Sequence, residues 1–156
     1  MTLAEDLSWI LSRNDITLSV AESCTGGMLG SVITSVPGSS RYFLGGAITY
    51  GNESKEDLLN VKKATMIENG SVSGKTAVEM AEGARELFGS DVAVSVTGIA
   101  GPEGGTAAKP VGLVWIGISS ENGSFARKFN FDGSREEIRT SAVNAAIQLL
   151  IGTLPV

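Results

Sequence analysis

Short apolar runs alternate with stretches of helical periodicity along most of the chain, and this alternation limits the fold more than any other feature. "TLSVAES" (17–23), "YFLGGAITY" (42–50) and "DVAVSVTG" (91–98) read as strands. Residues 2–13 carry Leu3, Leu7, Ile10 and Leu11 at helical spacing behind Thr2, a candidate N-cap. A second helix opens at Thr25-Gly26-Gly27 and runs to about Thr34, where Pro37-Gly38 stops it. Ser54 is expected to cap a short helix through Leu59, followed by a looser stretch. "SGKTAVEMAEGARELF" (73–88) is amphipathic, with Ser73 as N-cap and Ala77, Met80, Ala81, Ala84 and Leu87 as its apolar stripe. "GLVWIGISS" and "SFARKFNF" pair as a hairpin across Glu121-Asn122-Gly123. A last helix runs from Ser134 to about Ile151, with Ile138, Ala142, Ala145, Ala146 and Leu149 facing inward. Strands interleaved with helices predict an α/β layered domain, and the hairpin makes its sheet mixed.

A chain of 156 residues suits one domain, residues 1–156, and at 42% hydrophobic and 19% charged it can fill a core. No apolar run reaches the length of a membrane span, and Met1 opens into a mixed-polarity helix pattern rather than a signal peptide. The lone Cys24 cannot form an internal disulfide, which fits a cytoplasmic protein. A net charge of −5 repels phosphate backbones, so nucleic acid is not an expected partner, and with no apolar run of membrane length neither is a membrane. A small anionic ligand remains compatible, because local loop amides can outweigh the global field.

The histidine count is zero, which excludes Ser-His-Asp and Cys-His arrangements and any histidine metal site. No carboxylate-rich metal cluster stands out either, so neither metal nor cofactor is expected. Acid–base chemistry near neutral pH falls to lysine, tyrosine or carboxylate.

Three stretches could carry chemistry. "AESCTGG" (21–27) turns from a strand end through small residues into a helix, whose first free N–H groups attract phosphate or carboxylate. The plainer reading is a tight turn capped by Thr25, with Cys24 a small buried side chain. "SVTGIAGPEGGTAAKPVG" (95–112) is long for a connection and has no regular pattern from 98 to 110. Its glycines 98, 101, 104 and 105 let amides approach a ligand, and Thr97, Thr106 and Lys109 offer donors; it also reads as a flexible surface loop.

The third stretch sets Ser39 and Ser40 before a strand and Tyr50 and Lys55 after it. A serine needs a base to become a nucleophile, and lysine serves if its pKa falls from about 10.4 toward about 7 or 8. Lys55 sits in the first turn of a predicted helix, where the dipole disfavours its charge, while Glu53, Glu56 and Asp57 oppose that shift unless they face solvent. Tyr50 could relay the proton. Turn serines, a rim aromatic and a solvated lysine are the simpler reading.

Taken together, "AESCTGG" (21–27), "PGSS" (37–40), "GGAITYGNESK" (45–55), "SVS" (71–73), "SVTGIAGPEGGTAAKPVG" (95–112) and "SREEIR" (134–139) resemble the CinA C-terminal domain family, the nicotinamide mononucleotide deamidases. The motifs span most of the chain in the family's order, in a stand-alone form without the N-terminal domain of longer relatives. The resemblance implies a three-layer α/β/α sandwich with a mixed sheet that hydrolyses the carboxamide of nicotinamide mononucleotide to nicotinate mononucleotide and ammonia. It implies Ser40 as nucleophile, with Tyr50 and Lys55 as a proton shuttle. Phosphate and ribose are expected near Thr97, Gly98, Ile99, Ala100 and Gly101, with Thr25, Gly26, Arg135 and Arg139 nearby. A homodimer is implied as well. Many relatives carry serine where this chain has Gly51, a departure that leaves the trio intact. A non-catalytic nucleotide-binding module, or an interaction module linked to competence or damage, is the alternative.

Overall fold

Thr2 and Ser134 open the first and last helices with reciprocal capping boxes, through Glu5 and Glu137 respectively. The structure is a computed structural model and describes residues 1–155. In chain order it contains α1 (Leu3–Asn14), β1 (Leu18–Glu22), α2 (Met28–Thr34), a 3-10 turn over Ser39–Arg41, β2 (Phe43–Ile48) and α3 (Asn52–Leu59). There follow α4 (Lys63–Asn69), α5 (Gly74–Phe88), β3 (Val92–Gly98), β4 (Leu113–Ser120), β5 (Gly123–Asn130) and α6 (Arg135–Thr153).

The five strands form one sheet in the order β2-β1-β3-β4-β5. β1 runs parallel to β2 and β3, while β4 is antiparallel to both β3 and β5, so the sheet is mixed as the hairpin predicts. α1, α2 and α6 pack together on one face and α3, α4 and α5 on the other, which makes three layers. Every residue of the inner strand β1 is buried, whereas the edge strands β2 and β5 are partly exposed. Leu7, Leu11, Val20, Leu29, Ile116, Ile138 and Ile147 fill the core beneath α1, α2 and α6. A smaller cluster of Ala21, Leu59, Met80, Ala84 and Ala93 lies under α5.

Several local readings change. α3 begins at Asn52 rather than Ser54, because the Ser54 hydroxyl donates to Gly51 O instead of capping. α2 begins at Met28 behind Gly27, and Thr25 does not cap it. Leu87 is 52% exposed rather than part of the inward stripe, and Phe88 packs against the core in its place. α4 carries little apolar signal, since Thr65 is its one buried residue, and the Glu79 carboxylate holds it through the Thr65 hydroxyl and Lys62 N–H. Among the described residues no helix is long and apolar enough to cross a membrane.

α5 crosses the end of α3 so closely that a Cβ at Gly83 would collide with the Leu59 carbonyl. Gly83→Ala is therefore expected to lower stability by about 3 kcal/mol, the usual scale of overpacking, read from urea unfolding midpoints.

Candidate active site

Parallel pairing of β1 and β2 places their C-terminal ends side by side, with Glu22 opposite Ile48. Ser23 and Thr49, the next residue on each strand, are neighbours, and Thr49 N–H donates to Glu22 O at 2.8 Å. The chain turns at Tyr50-Gly51 into α3, which brings Lys55 back over the two strand ends. Lys55 is buried, 1% exposed, and its Nζ donates to Ser23 Oγ at 3.0 Å and to Thr49 O at 2.6 Å. Tyr50 O lies 3.5 Å from the same nitrogen. Burial disfavours the ammonium and pushes the Lys55 pKa from 10.5 down to about 8, against a small opposing influence of the Cys24 thiol. The neighbouring carboxylates do not intervene: Glu53 and Asp57 are exposed, and Glu56 pairs with Lys63 at 2.8 Å.

Ser23 and Lys55 open onto a cavity of about 250 Å³ at the C-terminal ends of the parallel strands. Thr97, Gly98, Ile99, Ala100 and Gly101 form one wall and Ser71 and Val72 another. The walls are tied together, since the Thr97 hydroxyl donates to Ser71 O at 2.7 Å and Lys109 Nζ donates to Asn69 O. Arg135 spans the mouth. Its NH1 donates to Gly101 O at 2.6 Å and its NH2 to the Tyr50 phenol at 3.0 Å.

Ser40 is not in this site. It precedes β2 whereas Tyr50 and Lys55 follow it, and a six-residue strand at about 3.3 Å per residue separates the two ends by roughly 20 Å. Ser40 is exposed in the 3-10 turn, so the expected Ser40–Lys55 pairing does not form, and Ser23 occupies the place assigned to it. Tyr50 is at the rim with its phenol on Arg135, and it is its carbonyl that faces Lys55. The expected relay through its hydroxyl is therefore not formed.

The sequence offered one sign of Ser23: it is the hydroxyl at the C-terminal end of the strand beside β2, where α/β sheets place their ligands. Reading the serines and the lysine along one continuous stretch hid it.

The "AESCTGG" turn differs from expectation for a second reason. The Glu22 carboxylate, 2% exposed, accepts from Gly27, Leu29 and Gly30 N–H and from the Thr25 hydroxyl. The chain's own anion thus fills the α2 N-terminus expected to attract phosphate. Thr25 and Gly26 do not line the cavity, and neither does Arg139, which donates to Cys24 O at 3.1 Å and Thr25 O at 2.9 Å. Thr97 through Gly101 and Arg135 do line it. Burial raises the Cys24 thiol to about 11, leaving Ser23 as the nucleophile candidate. No side chain stands near Gly51, so the hydroxyl it lacks removes no contact seen here.

A larger cleft of about 620 Å³ opens at the other end of the sheet, among Ile16, Asp91, Ile118, Phe125 and Leu154, and neither Lys55 nor Cys24 lines it. Among the described residues no three His, Cys, Asp or Glu side chains are grouped to hold a metal.

The sequence model of the CinA C-terminal domain matches residues 1–154. The chain belongs to this family. A CinA-like protein of Endomicrobium trichonymphae is 52% identical over 149 residues, which cover 96% of this chain and 35% of that protein. The chain spans about a third of the length of the curated relatives it matches. Among solved structures, the competence/damage inducible protein CihA from Agrobacterium tumefaciens is 40% identical with a TM-score of 0.93, over 96% of this chain and 92% of that one. The competence damage-inducible protein A (ComA) from Klebsiella pneumoniae is 30% identical with a TM-score of 0.94, over 97% and 94%. The three-layer arrangement with its mixed sheet is thus the fold of CinA superfamily proteins.

Proposed function

We propose that this CinA-family domain is a serine amidohydrolase that converts nicotinamide mononucleotide to nicotinate mononucleotide and ammonia, with Ser23 as nucleophile and Lys55 as base. The observation that carries the reading is the hydrogen bond from buried Lys55 Nζ to Ser23 Oγ at the cavity floor. The substrate follows from the family resemblance of the motifs, and the cavity wall at Thr97–Gly101 with Arg135 at its mouth supports a bound anionic group.

Neutral Lys55 takes the Ser23 proton as Oγ adds to the carboxamide carbon. The lysine ammonium then protonates the leaving nitrogen, ammonia departs, and an acyl ester remains on Ser23. Water, deprotonated by the same lysine, hydrolyses the ester and restores the serine. Tyr50 and Arg135 frame the entrance. We further propose that the domain works in the cytoplasm as a homodimer and folds as one unit over residues 1–156.

Purified protein incubated with the mononucleotide should release ammonia and form the nicotinate product in equal amounts. Calorimetric binding with no product after prolonged incubation would instead identify a nucleotide-binding module and end the amidase reading.

A further inference from the structure

The turn that carries Ser23 holds two backbone amides with no acceptor. Ser23 N–H donates to Val96 O, Gly26 N–H to Ser23 O and Met28 N–H to Thr25 O. Gly27, Leu29 and Gly30 donate to the Glu22 carboxylate. Among the described residues nothing accepts from the N–H of Cys24 or Thr25. Cys24 is 5% exposed, on the cavity wall, and Thr25 is fully buried. The Cys24 amide has only its own sulfur beside it, a contact that slightly offsets the rise of the thiol pKa. Buried main-chain donors are almost always paired, and two successive exceptions next to a nucleophile point to a missing acceptor.

Both peptides are gripped from the carbonyl side. A trans peptide sends its C=O and N–H in opposite directions. Gly26 N–H holds Ser23 O at 3.0 Å and so turns the Cys24 amide away from Gly26. Arg139 Nε holds Cys24 O at 3.1 Å and turns the Thr25 amide away from the guanidinium. A second Arg139 donor, on Thr25 O at 2.9 Å, fixes the turn at two points. A cation on the carbonyl also polarises the peptide and strengthens its N–H as a donor.

We propose that Arg139 is a positioning residue: by holding the turn at Cys24 O and Thr25 O it keeps the Cys24 amide, beside Ser23 on the cavity wall, facing the oxygen that becomes negative when Ser23 adds to a carboxamide. The inference rests on the amidohydrolase reading. In that step the Oγ–C bond forms, the C=O π pair moves onto oxygen and the serine proton passes to Lys55. Cys24 lines the cavity beside Ser23 and supplies the donor, while Thr25 stands behind it, off the cavity wall, as part of the turn that Arg139 holds. Donors of this kind act on the transition state and leave ground-state binding little changed.

Arg139→Gln and Arg139→Lys, checked for folding by thermal unfolding, separate this role from substrate binding. The glutamine variant should lose about 100-fold in kcat with little change in KM, the scale of a lost oxyanion donor. Lysine keeps the charge but reaches one carbonyl, so its loss should be smaller. Pyridine-3-boronic acid, which forms a tetrahedral adduct on serine, should bind Arg139→Gln about 100-fold more weakly, while nicotinamide binds as before. The pH limb set by Lys55 should not move, because its bond to Ser23 does not involve Arg139. A raised KM with intact kcat and boronate affinity would overturn the proposal, and so would no change in kcat or boronate affinity. If the wild-type protein takes the boronate on Ser23 and Arg139→Gln loses it, but no ammonia is released from the mononucleotide, the substrate reading fails and the positioning role stands.

Discussion

Ser23→Ala is expected to abolish ammonia release from nicotinamide mononucleotide, with a loss of about 10⁴-fold or more, while Ser40→Ala leaves the rate close to wild type. The scale is that of removing the nucleophile from a serine hydrolase. The contrast follows from topology. Ser23 ends β1 and meets Lys55 Nζ at 3.0 Å, whereas Ser40 lies beyond the opposite end of β2 on an exposed turn. Steady-state rates for the two alanine variants, with mononucleotide affinity measured alongside, decide the matter. Full activity in Ser23→Ala would remove the proposed mechanism whatever the substrate.

Lys55→Met is expected to reduce turnover by about 10³-fold or more, as loss of a general base in a nucleophile–base pair does. Lys55→Arg should fail equally, because a guanidinium stays protonated and cannot accept the serine proton. In the wild-type protein kcat/KM should rise with pH along a limb centred near the Lys55 pKa of about 8, since only the neutral amine is competent. Stability should follow the same group. Between about pH 8 and 10.5 the unfolded chain keeps a proton on Lys55 that the folded chain has released, so this residue makes stability increase with pH across that window. Below it the lysine is charged in both states and its burial opposes folding. Unfolding midpoints of wild type and Lys55→Met at pH 7 and pH 10 should therefore shift in favour of wild type at the higher pH. A rate profile flat from pH 6 to 10 would contradict Lys55 as the base.

The buried polar groups explain how a chain without histidine holds a lysine with a lowered pKa beside a serine. A lysine with a nearly unperturbed pKa would be protonated at neutral pH and useless as a base. Packing α3 over the ends of β1 and β2 strips water from Lys55 and leaves it three oxygens, two of them carbonyls. Glu22 answers a different need. Its carboxylate closes the α2 N-terminus, so the turn between them is held from below by Glu22 and from outside by Arg139. That rigidity is what a nucleophile on a short turn requires.

Much of the architecture was legible locally. Thr2 and Ser73 cap their helices as predicted, and Ser134 caps the helix expected to start with it, because a side-chain oxygen reaching an amide two or three residues on is a contact within one turn. The strands and the hairpin follow from short-range alternation and the Asn-Gly turn, while the zero histidine count made lysine a candidate base and the motif resemblance pointed to Lys55. What failed were statements about distance. Ser40 and Lys55 are close along the chain yet separated by the length of a strand. Ser23 is far from Lys55 in sequence and in contact with it in space, because parallel pairing aligns the ends of β1 and β2. Arg139 reads as a phosphate ligand until α6 is seen to lay it on the Cys24 and Thr25 carbonyls. The sequence by itself determined most of the elements, the α/β class and the absence of a histidine base, since each depends on neighbours within a few residues or on what the composition lacks. Only the tertiary structure decided which serine meets Lys55, which anion fills the helix end and which amides stay free, because strand pairing and helix packing alone set contacts between distant segments.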